Sequence, residues 1–307
     1  MITRIFRISN PFHYVLFFTA LLSLYIFQRY SNYIDFGSID FFNETLALTF
    51  FLLTMFLLVF IITKNNLTQN NSFGALYFTL LIFLIPQALI DTKLIISNAF
   101  VLLSFRRIFS LESKQNLKKK YFDAAAWLTL AMLFYHWAIL YYAPLLLTII
   151  FVSYDRLKHL LVLFFGIIAV YVLGFLFHII FGMDLNLVHL EFPKHKFDFW
   201  SLSEISKAFV IIVFLIGFGA FLNLIINLIF KNNKYKMGFI VLSMMLLIGL
   251  IIPLISFDPS IANALFLVFP LSVVAANFSE KGKTFWLSNL LLLLIITLAF
   301  LKLGFNI

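Results

Sequence analysis

FDAAAWLTLAMLFYHWAILYYAPLLLTIIFVS, residues 122–153, carries no charge after Asp123. An α-helix rises about 1.5 Å per residue and the hydrocarbon of a bilayer is about 30 Å thick. One straight helix through this run would be about 45 Å long, too long for a single crossing, while two full crossings need more residues than it has. The choice matters beyond the run itself, because one crossing more or fewer inverts every later segment.

The lysines and arginines decide it. If the run is a tight hairpin of two short helices turning near His136–Leu140, then segments 1–11, 64–72, 106–123, 154–159, 231–236 and 279–284 lie on one side. Those segments hold 16 of the 22 Lys and Arg residues, against Arg29, Lys93, Lys194, Lys196, Lys207 and Lys302 on the other side. The acids invert the bias: Glu112, Asp123, Asp155 and Glu280 fall with the cations and the remaining nine fall opposite. Cationic loops stay in the cytoplasm during insertion. A single span at 122–153 would instead move Lys231, Lys234 and Lys236 outside and largely erase the bias after residue 153. The expectation is therefore an all-α, polytopic transmembrane helical bundle. It has about 11 crossings including the short helical hairpin at 122–153, the amino terminus in the cytoplasm and the carboxyl terminus outside. The other spans are expected near 12–28, 44–63, 73–90, 94–109, 160–181, 207–230, 237–255, 261–278 and 285–303.

Composition agrees. The 307 residues are 63% hydrophobic and 11% charged, and mean hydropathy is +1.06. Water does not solvate a surface built from that mixture, so lipid must be the main solvent and partner. No polar linker separates soluble units, and residues 1–307 read as one integral membrane domain. Arg4 and Arg7 precede the first apolar run with no small-residue cleavage site after it, so the first helix reads as retained. The net charge of +9 is spread over short loops and follows the positive-inside pattern; it does not indicate a nucleic-acid partner. Segment 106–123 (RRIFSLESKQNLKKKYFD) is basic and amphipathic and is expected to lie on anionic headgroups. Cysteine is absent, which excludes disulfides, thiolate metal sites and a cysteine nucleophile.

Candidate chemistry gathers on the acid-rich side. The first outer connection, 29–43, holds Asp35 and Asp40, and Glu44 opens the next helix. Asp91 follows Pro86 and Gln87 at the end of the third span, and Asp258 sits in the turn SFDPS. Paired carboxylates of this kind act as a general base or hold a divalent cation through oxygen. An Asp before a helix or a Pro is also a common cap or turn residue. His189 and His195 lie in the outer loop HLEFPKHKFD, without zinc-type spacing, so no metal site is assigned and no cofactor is identified. His136 and His178 fall within the membrane, where an imidazole usually finds a hydrogen-bond partner on a neighbouring helix. No Asp, Glu, Lys or Arg lies in the middle of a span, and glycine is scarce; both features weigh against an ion-coupled carrier.

Two resemblances add to this reading. The opening ITRIFRISNPFHYVLFF, the length and the Phe/Ile/Leu/Lys-rich style resemble a family of polytopic inner-membrane proteins of Bacteroidetes that carries no assigned activity. The stretch NAFVLLSFRRIF, the short paired helices with YYAPLLLTII, and ANALFLVFPLSVVAAN at 262–277 with Pro270 resemble the GT-C class of polytopic glycosyltransferases. That class uses lipid-phosphate-linked sugar donors and keeps its catalytic acid in the first outer loop. The resemblance implies Asp35 or Asp40 as the base, with Asp91 and Asp258 on the substrate side and Lys194 and Lys196 near its phosphate. The chain departs from the class in its short first loop, in the missing adjacent acidic pair and in Ala262–Asn263, where an Arg often precedes the late helix. The expected function is a non-catalytic or accessory component of cell-envelope assembly in the bacterial inner membrane, partnered by another membrane protein or a lipid-linked glycan. The alternatives are a GT-C-like transferase acting on such a glycan and a transporter or flippase.

Overall fold

The computed structural model describes residues 5–36, 41–181, 236–256, 261–280 and 285–305, with residues 207 and 211 as isolated positions. Among the described residues the chain is all-helical. In order, α1 is Pro11–Phe36, α2 Phe41–Lys64, α3 Phe73–Leu84, α4 Thr92–Ser110, α5 Leu117–Phe134, α6 Tyr142–Val152, α7 Arg156–Phe181, α8 Lys236–Ile255, α9 Leu265–Glu280 and α10 Phe285–Phe305. Short 3-10 segments at Pro86–Leu89, Leu111–Ser113, His136–Tyr141 and Ile261–Ala264 join several of them. Among the described residues, six helices are long and apolar enough to cross a membrane, and Phe73–Leu84 and His136–Val152 are shorter apolar stretches.

The hairpin at 122–153 is present. α5 stops at Phe134, Tyr135 is extended (φ −147°, ψ 109°), and the chain turns through the 3-10 segment into α6. Tyr142 then sets its hydroxyl 2.7 Å from Thr129 Oγ1 and donates to the carbonyl of Ala125 at 3.1 Å. Ser153, just past α6, donates to the Tyr121 hydroxyl in the first turns of α5 at 3.0 Å. The two ends of the run are therefore neighbours. Pro144 is tolerated because it lies in the first turn of α6, where the missing N–H had no intrahelical acceptor.

Two boundaries differ from the sequence reading. The span expected at 73–90 is broken: Pro86 offers no N–H and crowds the carbonyl four residues back, so α3 ends at Leu84 and a 3-10 turn follows. α1 runs on to Phe36, well beyond the expected end at residue 28, because nothing between Arg29 and Phe36 breaks a helix. Asp35 is thus on the last turn of a helix and not in a loop. The span expected at 207–230 lies outside the described residues.

Lipid offers helices no hydrophobic reason to associate, so contact rests on close packing and interhelical hydrogen bonds. α4 and α5 pack antiparallel through two rungs seven residues apart. Ser97 donates to Ala131 O and Ser104 to Ala124 O, each at 2.9 Å, and all four residues are fully buried. α7 lies on α5 at Gly166, where an added Cβ would stand 2.8 Å from the Phe122 carbonyl oxygen and 3.1 Å from Ala125 Cβ. α8 approaches α9 in the same way at Gly249, 2.9 Å from Leu267 Cα. α9 is the central helix, with 89% of its apolar window buried, whereas α7 is peripheral at 17%.

The segments expected to be cytoplasmic meet at one end of the bundle. Ser72 binds both Phe6 O through its amide, at 3.1 Å, and His13 Nδ1 through its hydroxyl, at 3.0 Å. Glu280 accepts from the Gln69 amide and Asn71 Nδ2. Arg107 pairs with Asp123 at 2.9 Å, Lys120 donates to Ser110 O, and Lys114 stands over the Tyr154 ring. Burial and the nearby Arg107 guanidinium hold the Lys120 ammonium below the usual lysine range. Residues 231–235 lie outside the described residues, but Gly238 at the start of α8 faces Leu67 and Phe109 at this same end.

The close approach at Gly166 is testable. Gly166→Val has to push against backbone and not against a flexible side chain, so it should lose about 1–3 kcal/mol of stability. Steric-trap or SDS unfolding in bicelles measures this; an unchanged unfolding midpoint would show that α7 does not pack on α5 as described.

Candidate functional site at the acid-rich end

The opposite end is organised around Arg29. It sits near the end of α1 and is 8% exposed. Its guanidinium forks to three elements: Nε donates to Leu89 O at 2.8 Å, Nη1 pairs with Glu44 Oε1 at 2.5 Å, and Nη2 donates to Thr92 Oγ1 at 3.0 Å. Its face covers the Tyr25 ring, with the centroid 5.5 Å away. The Tyr25 hydroxyl lies within 3.3 Å of Glu44 O and 3.4 Å of Oε2. One side chain of α1 thus ties down the first turn of α2, the 3-10 turn after α3 and the start of α4. A planar, always-charged fork suits this role better than the point charge of a lysine.

Each contact arises locally. Pro86 forces the turn that leaves Leu89 O outside any α-helix and available to a side chain. Glu44 lies in the first turn of α2, where the helix dipole favours a carboxylate. Asp91 is the N-cap of α4: Oδ1 accepts from the Lys93 amide at 2.9 Å and the Leu94 amide at 3.2 Å. Two groups of the orphaned first turn are satisfied that way. Gln87, in the turn between Pro86 and Leu89, keeps its side-chain oxygen buried with no hydrogen-bond partner among the described residues.

The residues expected from the sequence fall out unevenly. Asp91 is at this end, exposed, and caps a helix. Asp35 is on the last turn of α1, two turns beyond Arg29. Asp40, Asp258, Lys194 and Lys196 lie outside the described residues, as do His189 and His195. His13 and His159 are at the basic end, bonded to Ser72 and to Asp155 O. Among the described residues no three His, Asp or Glu side chains gather as a metal site would require. Chemically, the described part of this end is a latch. Glu44 is neutralised by a cation and approached by a phenol, and the Asp91 carboxylate is turned onto backbone amides.

Arg29 was visible in the sequence only as a stray cation on the acid-rich side. A signal did exist: an Arg and a Glu separated by 15 residues across the connection between the first two helices can pair once α1 and α2 fold together. Its other acceptors, 60 and 63 residues away, leave no such trace.

Substitution separates latch from active site. Arg29→Ala leaves the half-buried Glu44 carboxylate unpaired beside an aromatic ring and should lose about 2 kcal/mol. Arg29→Lys should recover only part of this, because an ammonium cannot reach the same acceptors in one plane. Asp91→Asn should be near neutral and Asp91→Ala should lose about 1 kcal/mol, as for a helix cap. Unfolding midpoints in one detergent rank the four variants; a strongly destabilised Asp91→Asn would contradict the capping role.

No curated protein and no solved structure matches the chain. Its sequence matches a family of unknown function, DUF6427, over residues 1–305. With the match running nearly end to end, the chain belongs to the DUF6427 family.

Proposed function

We propose that this chain is a multi-pass protein of a bacterial inner membrane. In this reading it crosses about eleven times with its amino terminus in the cytoplasm and serves as a non-catalytic component of cell-envelope assembly. The orientation is supported by the meeting of the basic stretches 5–14, 64–72, 106–123 and 154–159 at one end, a distribution that insertion leaves in the cytoplasm. The accessory role is supported chiefly by one observation. The two acids of this end whose contacts are described, Glu44 and Asp91, are both engaged in holding the fold together, one by Arg29 and one by backbone amides. A scaffold needs a rigid, latched face; an acid–base catalyst needs a carboxylate turned toward its substrate.

A second reading is favoured by placement. Asp35 and Asp91 belong to two elements that Arg29 ties to each other, so acids flank one point of the outer end. A GT-C-like transferase acting on a lipid-linked glycan would use Asp35 or Asp40 as base there, with Asp258, Lys194 and Lys196 completing the substrate side.

The absence of cysteine makes topology simple to measure. Ser113→Cys should react with an impermeant maleimide only after the cells are opened, and Lys93→Cys should react in intact cells. The reverse pattern would overturn the orientation. For function, a tagged chain in mild detergent should bring down one membrane protein in stoichiometric amount. The double variant Asp35→Asn/Asp40→Asn should then keep full function. Recovery as a lone monomer, with loss of function in the double variant at normal protein level, supports the transferase instead.

A further inference from the structure

Asn98 of α4 is 3% exposed, and its amide makes no hydrogen bond among the described residues. The buried serines of the same helix, Ser97 and Ser104, are both bonded to α5. The N-cap Asp91 lies seven residues earlier, so Asn98 stands two turns, about 10 Å, inside the acid-rich end. A buried amide without a partner is costly, and Asn is a poor helix former besides. Leucine has a similar volume and carries neither cost, so packing does not account for an amide at this position.

The surroundings of this side chain follow from the helix register. The rungs Ser97–Ala131 and Ser104–Ala124 set Tyr135, at the end of α5, level with the first turn of α4. Phe105, seven residues after Asn98 and therefore on the same face, meets Tyr141 edge-on at 5.4 Å. Tyr141 lies 6.0 Å, ring to ring, from Phe266, and Phe266 stacks on Tyr135 at 5.2 Å. Asn98 thus faces the start of α9, at a height between Tyr135 and Tyr141. A second neutral amide borders the same helix start. Gln87, whose buried Oε1 has no hydrogen-bond partner among the described residues, belongs to the turn that packs on Ile261–Ala264, the lead-in to α9. Three helix interruptions, Pro86–Leu89, His136–Tyr141 and Ile261–Ala264, therefore meet around one point. In a membrane bundle such interruptions are tolerated where the backbone is buried in protein or borders a cavity, and membrane carriers frame their substrates with them.

We propose that the start of α9 frames an interior site for an uncharged, hydroxyl-bearing ligand, with Asn98 as its principal hydrogen-bonding residue and Gln87 as a second. A hydroxyl is donor and acceptor at once, as an amide is. The rings of Tyr135, Tyr141 and Phe266 supply apolar surface for the ligand's carbon skeleton. None of these five groups is charged, so an ionised ligand would meet no counter-charge among them. The site is independent of the accessory role argued above, which requires no interior ligand.

The test uses the full chain, purified in a detergent without sugar and placed in nanodiscs. Two probes separate the sources of the hydroxyls: methyl glucoside free in solution, and monoglucosyl-diacylglycerol mixed into the nanodisc lipid. At least one should raise the unfolding temperature along a saturating curve. Asn98→Leu should weaken that binding about tenfold, the loss of one buried hydrogen bond. Without probe, the same variant should unfold at the temperature of the wild type or above it, because it removes an unpaired amide. Gln87→Leu should weaken binding about threefold. If Asn98→Leu fails to fold, Asn98→Ser serves in its place and should weaken binding about fivefold. Three outcomes overturn the proposal. The first is no saturable response of the wild type to either probe. The second is binding by the Asn98 variant equal to that of the wild type. The third is an Asn98→Leu variant that unfolds at lower temperature without probe while the wild type binds neither, which would make Asn98 the holder of an internal water.

Discussion

The hydroxyl of Tyr142 rests against Thr129 and the Ala125 carbonyl, and Ser153 reaches Tyr121. These contacts keep residues 117–152 folded back, and the direction of all that follows depends on them. A run of this length with no charged residue to stop it has two ways to satisfy its backbone in lipid. It can form an over-long helix that buckles, or it can turn at depth with the turn buried in protein. The 3-10 segment His136–Tyr141 is such a buried turn: Tyr141 is fully covered, edge-on to Phe105 and bonded to Phe266 O. α7 then starts from the basic end, as does α8 through Gly238. The charge asymmetry of the loops and the close packing of the spans are consistent with one arrangement.

That consistency is why so much of the fold was legible. Apolar runs of span length report helices, and the turn expected near His136–Leu140 lies within the observed one. The basic loops, far apart in the chain, meet at one end, as the distribution of their cations led one to expect. Failures came where a residue's partner is distant. Pro86 was seen, but the apolar run around it was read straight through. Ser97 and Ser104, at the same seven-residue spacing as Ala124 and Ala131, mark a helix seam that composition alone did not reveal. Gly166 and Gly249 lie outside any small-xxx-small pattern and act singly, each opposite one backbone.

The candidate site was less legible for a related reason. Acids are inexpensive on a wet outer surface, so a sequence shows many and does not rank them. Structure ranks those it describes by what they touch. Asp91 touches its own helix, and Glu44 touches Arg29. The residue that organises this end is a cation, and its significance lies in acceptors that include a main-chain carbonyl, which no side-chain pattern encodes.

The spacing of the Arg29 contacts also bears on how the chain is made. Glu44 is only 15 residues downstream, whereas Leu89 and Thr92 follow after two further helical elements have been synthesised. On chain order alone, the Arg29–Glu44 pair needs only α1 and α2 side by side, so in a bilayer the guanidinium would have its counter-charge before Leu89 and Thr92 are in place.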